Sequence, residues 1–195
     1  MVRFDFTGLG DSPGVFADTN LSSNIAQVQE VATWMQAQGR PAQLLIGHSL
    51  GGVAVSMAAA SIKTARAICL LNPPPAADHL IRHFGTHVQQ IMQEGAAEVP
   101  IYDPSGKRRF LIKRQLLEDL RRHDFVASIR SLQLPLLMLY SESDDLITLA
   151  DIQSLLAQVT VSKQLKVLPG ADHILSDRNT GITTGHTIAQ WFKEI

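Results

Sequence analysis

The sequence predicts an α/β fold: a mostly parallel sheet of about five strands flanked by helices, with a helical and hairpin cap inserted between two core strands. Three observations carry this. Short apolar runs alternate with stretches of helical periodicity, the pattern of right-handed crossovers between parallel strands. One of them, QLLIGHSLGGVAVSMAAA at residues 43–60, passes from an apolar strand through Gly-x-Ser-x-Gly into an alanine-rich helix. Residues 73–133, about 60 in number, contain no buried parallel strand and are too many for a plain loop.

Taken in order, MVRFDF at 1–6 is short and apolar and runs into TGLGDSPG, which predicts a first strand ending in a glycine-rich loop. Ile25, Val28, Val31, Ala32 and Met35 recur at helical spacing within 23–38, and Gly39 and Pro41 stop that helix. A second strand is expected at 43–47, a helix at 50–61, and a third strand at 65–72, closed by Pro73, Pro74 and Pro75. In the cap, 76–95 reads as a helix with Leu80, Phe84, Val88 and Ile91 on one stripe. Residues 98–112 read as a hairpin around Asp103-Pro104-Ser105-Gly106, and 113–132 as one or two further helices. Strands at 134–140 and 163–169, a helix at 149–159 and a closing helix at 181–195 complete the pattern. No repeat, low-complexity segment or linker interrupts it. The expectation is a single domain over 1–195 with a cap insertion at about 73–133.

Composition narrows the function classes. With 195 residues, 45% hydrophobic and 18% charged, the chain can bury a real core. A formal net charge of −1 gives no global field to attract nucleic acid or an anionic membrane, so neither is an expected partner. The single cysteine, Cys69, lies in the apolar run ARAICLL; it forms no disulfide within the chain and reads as a core thiol. No apolar run approaches the ~18 residues of a membrane span. Asp5 interrupts any signal-peptide core at the N-terminus, so a cytoplasmic compartment is expected.

The chemistry centres on Ser49. A strand, Gly-x-Ser-x-Gly and a helix make a nucleophile elbow: a sharp turn that lifts the hydroxyl above the sheet edge, with Gly47 and Gly51 avoiding clashes. The Leu50 N–H opens the following helix, where unpaired donors favour an oxyanion. A serine needs a base, and the base an orienting acid. Asp144 and Asp145 both follow the strand at 134–140; the spacing favours Asp144, with Asp145 a solvated neighbour or loop cap. His173 follows the strand at 163–169, with a structural role for Asp172 beside it. The order Ser, Asp, His along the chain is the one that hydrolase arrangement uses. His48 is expected to pack on the far side of the turn. His79, His83 and His87, at i, i+4 and i+8, would share a helix face; with no carboxylate or cysteine in step, a solvated or partner-facing stripe is favoured over a metal. His123 and His186 carry no signal. The charged run at 107–114 reads as a solvated hairpin rim.

These stretches resemble a known family. The whole chain resembles the α/β-hydrolase superfamily. RFDFTGLGDSPGVFADTNLSSN, LLIGHSLGG and GADHIL are similar to the hydrolase portion of proteins that join an α/β-hydrolase to an OsmC-type domain. The likeness is close over 2–60, loose through the cap, and recovers around 134–192. It implies Ser49 as nucleophile, Asp144 as acid and His173 as base, with hydrolysis of carboxylic esters and no metal or organic cofactor. Two departures follow from the comparison. On the sequence as read, no OsmC-like segment is expected after Ile195, and no counterpart is expected for the superfamily's first three strands and first helix, with the loop giving a second oxyanion donor. The chain is thus expected to be either a fragment or a reduced α/β-hydrolase fold that manages without them, with residues 2–6 moved beside 43–47. Backbone N–H groups of Gly8, Leu9 or Gly10 would then supply the second donor. The first strand, left at an edge with Val2, Phe4 and Phe6, suggests a homodimer or higher oligomer.

The expected activity is hydrolysis of a small-molecule ester with a short or medium acyl chain. Thioesterase or amidase chemistry uses the same three side chains, and an inactive, truncated interaction module is the non-enzymatic alternative.

Overall fold

The computed structural model describes residues 1–100 and 109–195. Along the chain the elements are α1 (Leu21–Ala37), β1 (Leu44–His48), α2 (Leu50–Ala58), β2 (Ala67–Leu71), α3 (Ala77–Arg82), α4 (His87–Glu94), β3 (Ala96–Pro100), β4 (Arg109–Lys113), α5 (Arg114–Arg122), α6 (Phe125–Arg130), β5 (Leu136–Ser141), α7 (Leu149–Ala157), β6 (Lys163–Leu168) and α8 (Arg178–Glu194). They divide into two compact units, residues 28–75 with 125–195, and residues 1–27 with 76–124.

The first of these units is built on a parallel sheet in the order β1-β2-β5-β6. In register, Ile46 stands opposite Cys69, Cys69 opposite Leu137, and Leu137 opposite Gln164. The two central strands, AICLL and LLMLYS, are unbroken apolar runs up to Ser141 and are buried at every position. That is what a parallel strand covered on both faces requires. Ala67, Cys69 and Leu71 of β2 and Leu137 and Leu139 of β5 point to one face and pack on Ile188 and Trp191 of α8. The alternate residues Ile68, Leu70, Leu136 and Met138 point to the opposite face and are also fully buried; α2 and α7 pack on the same strands. The helices are stopped and started locally. Thr148 and Asp151 form a capping box at α7, and Asp177 accepts the Thr180 N–H at α8. Because all four strands run the same way, their C-terminal ends share one rim.

The first expected strand does not form, so among the described residues this sheet has four strands, not five. β1 is hydrogen-bonded to β2 alone, not to residues 2–6. The alternation of Val2, Phe4 and Phe6 suits a half-buried strand, but the carbonyls turn into the following loop instead. Phe6 O accepts the Leu9 N–H at 2.9 Å, and Asp5 O accepts the Ser12 hydroxyl at 2.5 Å. Val2 and Phe4 stay exposed.

In the other unit, β3 and β4 form the expected antiparallel hairpin, with Ala97 opposite Ile112 and Val99 opposite Phe110. The Phe16 ring meets Phe110 edge-on at 5.2 Å. The expected turn at Asp103–Gly106, and residues 107 and 108 of the charged run, lie outside the described residues. The single helix expected over 76–95 is two, α3 and α4, broken where Gly85 takes φ +53. The apolar stripe ran across the break and concealed it. Asp119, buried on α5, accepts the Ser22 N–H at 2.8 Å and its hydroxyl at 2.7 Å, satisfying the first turn of α1. The His123 Nε2 lies 2.9 Å from the same hydroxyl. The sequence reading gave neither residue a role.

Candidate active site

Ser49 occupies the one-residue junction between β1 and α2, with φ 51 and ψ −126. Such a backbone costs a non-glycine residue about 1–3 kcal/mol and persists only where its surroundings over-determine it. Here the Ser49 N–H donates to Leu71 O at the end of β2 at 2.8 Å, and Ser49 O accepts the Gly52 N–H at 2.9 Å. Gly47 is required by the same turn. A Cβ there would lie 2.5 Å from Gly51 O and 2.6 Å from Gly52 Cα, both backbone atoms with nowhere to go. A Cβ on Gly52, the residue after the motif, would meet Gly47 O at 3.2 Å, so the start of α2 is crowded against the turn as well.

Asp144 and His173 lie past the C-terminal ends of β5 and β6, on the rim where Ser49 follows β1. His173 Nδ1 and Asp144 Oδ2 are 2.7 Å apart, with side chains 5% and 0% exposed. Asp144 Oδ1 accepts the Leu146 and Ile147 N–H groups at 2.8 and 2.9 Å. Burial pushes this carboxyl up, but the hydrogen bonds from His173, Ile147 and Leu146 outweigh it and hold it below the usual carboxylate range. An ionised carboxylate on Nδ1 keeps the proton on that nitrogen, leaving Nε2 of the neutral ring as an acceptor. Of the two competing carboxylates, Asp145 is exposed and Asp144 holds the imidazole. Asp172 is occupied locally: it accepts the Ser176 hydroxyl and N–H, which lower its carboxyl.

Two further residues tie the rim together, and sequence reasoning missed both. The His48 Nε2 donates to the His173 carbonyl at 2.6 Å, and the two rings lie 4.9 Å apart at 50°. His48 therefore packs on the imidazole itself, not away from it. Burial, then the neighbouring His173, lowers its pKa to about 4, so it is neutral near pH 7. Asn72, fully buried at φ 45, donates to the Ser141 hydroxyl and accepts the Ser141 N–H, both at 2.8 Å. Ser143 N–H then donates to Ala171 O at 2.8 Å. Hydrogen bonds thus run from Ser49 to β2, from β2 to β5, from β5 to the His173 loop, and back to His48. No local sequence pattern marks such a circuit, since each bond joins segments far apart in the chain.

The other expected donors and ligands behave differently. The Gly8 N–H donates to Pro13 O at 3.1 Å and the Leu9 N–H to Phe6 O, so both are spent inside their own loop. His79 and His83 rings meet at 5.2 Å, while the break between α3 and α4 removes His87 to another helix, where its Nδ1 meets Phe84 O. Among the described residues no group of three or more His, Cys, Asp or Glu side chains is arranged to hold a metal, and no helix is long and apolar enough to cross a membrane. Burial pushes the Cys69 thiol up to about 12, so it is not a nucleophile at neutral pH.

This rim can be compared with known proteins. Residues 1–182 match the model of the alpha/beta hydrolase family. The chain belongs to that family. Among solved structures it is similar to the esterase domain of a Rhodothermus marinus protein, at 30% identity over 97% of this chain and 72% of that one, with a TM-score of 0.72. Est1E of Butyrivibrio proteoclasticus, solved with ferulic acid, is 18% identical over 97% of this chain and 74% of its own, with a TM-score of 0.77. Mouse alpha/beta hydrolase domain-containing protein 10 is 19% identical over 98% and 77%, also at 0.77. At that distance the last two speak for the fold alone. None of the curated proteins compared with the chain matches it. In a hydrolase of this family, the convergence of Asp144, His173 and the Ser49 turn on one sheet rim is the place to look for chemistry.

Proposed function

We propose that the protein is a serine hydrolase that cleaves carboxylic esters of short to medium acyl chains through an acyl-enzyme. The observation that carries this is the 2.7 Å Asp144–His173 hydrogen bond, on a histidine whose carbonyl accepts from His48, the neighbour of Ser49. In the first step His173 Nε2 takes the Ser49 proton as Oγ attacks the ester carbonyl. Asp144 fixes the ring's tautomer and stabilises its cationic form. The Leu50 N–H, first amide of α2, faces the oxyanion. The imidazolium protonates the leaving alcohol; a water, deprotonated by the same nitrogen, then releases the acid and restores Ser49.

The kinship with a structure described as an esterase domain supports esters as the substrate class. The finer resemblance, to the hydrolase portion of hydrolase–OsmC fusions, rests on the stretches quoted above. In this reading the chain is one catalytic domain with residues 73–133 as its cap. It forms a homodimer or higher oligomer through the exposed apolar N-terminal segment that includes Val2 and Phe4; a monomeric mass by light scattering at micromolar concentration would remove that element. Initial rates on p-nitrophenyl acetate and butyrate, with wild type and Ser49→Ala, test the activity. The expected result is turnover by wild type and background rates for the variant; equal rates would refute the assignment.

A further inference from the structure

We propose that His48 is a positioning residue for His173, setting the distance between the base and the nucleophile through a clasp one residue away from Ser49. This rests on the reading of His173 as the base. Asp144 holds the imidazole at a single atom, Nδ1. That bond sets the Nδ1 end of the ring; where Nε2 lies depends also on the main chain of the loop that carries His173. That loop is anchored upstream, where Ser143 N–H donates to Ala171 O and Gly170 N–H donates to Glu142 Oε2 at 2.9 Å. Downstream, Leu175 stands at φ 53 and its N–H reaches back to Asp172 O at 3.3 Å, a long bond. At His173 itself the main chain is held by the 2.6 Å bond from His48 Nε2 to its carbonyl.

The position of His48 in the chain gives this bond its consequence. His48 is the last residue of β1, and Ser49 follows it directly. Its backbone is fixed by pairing with Leu71 of β2, and the Ser49 N–H donates to the same residue's carbonyl. The turn that aims the serine hydroxyl therefore also grips the carbonyl of the histidine meant to accept its proton. Ring-on-ring packing at 4.9 Å closes the side on which His173 would otherwise swing. A neutral His48 suits the position: a proton on Nε2 makes the donor, and no second cation opposes the charge that His173 gains when it takes the Ser49 proton.

The test compares His48→Phe, which keeps a ring and loses the donor, with His48→Gln, whose amide can still donate to the carbonyl. Both are first checked for wild-type folding by circular dichroism and thermal melts. On p-nitrophenyl butyrate, His48→Phe is expected to lower kcat on the order of 10–10²-fold with KM nearly unchanged, since misplacement by about 1 Å costs that much. His48→Gln recovers most of the loss. In proton NMR the downfield Nδ1–H resonance of His173 broadens or shifts in His48→Phe and returns in His48→Gln. Wild-type kcat and an unchanged resonance in folded His48→Phe overturn the proposal, as does equal impairment of both variants. If Ser49→Ala hydrolyses ester as fast as wild type, the catalytic reading fails on its own; the resonance then decides the clasp, and its persistence in His48→Phe overturns it.

Discussion

Replacing Asp144 by Asn separates the electrostatic role of this carboxylate from its structural one. Oδ1 accepts two backbone amides, from Leu146 and Ile147, and Oδ2 faces His173. An Asn side chain keeps its oxygen on the two amides and turns its NH2 towards Nδ1. A donor facing Nδ1 removes the proton from that nitrogen and places it on Nε2, which can no longer accept from Ser49. The expected loss is on the order of 10⁴ in kcat, or ~5.5 kcal/mol of transition-state stabilisation. Folding suffers far less: one charge-assisted hydrogen bond weakens, for about 2 kcal/mol and a Tm lowered by a few degrees. Asp144→Ala is a poorer probe, because it leaves two N–H groups without acceptors at ~1–3 kcal/mol each. Initial rates on p-nitrophenyl butyrate, with a melt on the same sample, read both quantities. A folded Asp144→Asn protein within tenfold of the wild-type kcat would refute the reasoning.

Three further outcomes follow from the same geometry. Ser49→Gly abolishes turnover yet raises the unfolding free energy by about 1 kcal/mol, because relief of a strained φ exceeds the added freedom of the unfolded chain; a lower urea midpoint than wild type would contradict it. Gly47→Ala forces a Cβ to 2.5 Å from Gly51 O, so it lowers stability by about 1–3 kcal/mol and removes activity with it; an unchanged melt and rate would show that the turn has room. Stability also depends on pH through His48. Its folded pKa of about 4 lies below the ~6.5 of an unfolded imidazole, so the unfolded chain protonates first. The stability is complete above about pH 6.5 and falls by up to about 3 kcal/mol as pH drops towards 4. Asp144, with its depressed carboxyl, adds a further loss in more acidic solution. Urea titrations at pH 7.0, 5.5 and 4.5 should show a flatter dependence for His48→Gln; identical slopes would contradict the assignment.

The parts of the fold legible in the sequence are those with local causes. AICLL and LLMLYS read as buried strands because parallel strands covered on both faces need uninterrupted apolar runs. Asp144 and His173 were legible because each follows such a run, and a parallel sheet gathers strand ends on one rim. Choosing Asp144 over Asp145 rests on spacing alone; in the structure it is Asp144 whose Oδ2 lies 2.7 Å from His173 Nδ1. Residues 2–6 misled because alternation reports which side of a segment is apolar, not whether a neighbouring strand is there to pair. The helix at 76–95 misled because its stripe continued through Gly85, where the backbone turns left-handed. His48 and Asn72 were illegible for another reason: their partners, His173 and Ser141, are 125 and 69 residues away.

The most direct test of the account is covalent. A fluorophosphonate should label the folded protein once, and peptide mapping by mass spectrometry should place the adduct on Ser49, with labelling lost in Ser49→Ala and strongly slowed in His173→Gln. An adduct on another residue, or wild-type labelling kinetics without the His173 imidazole, would contradict the claim that this serine is activated by that histidine.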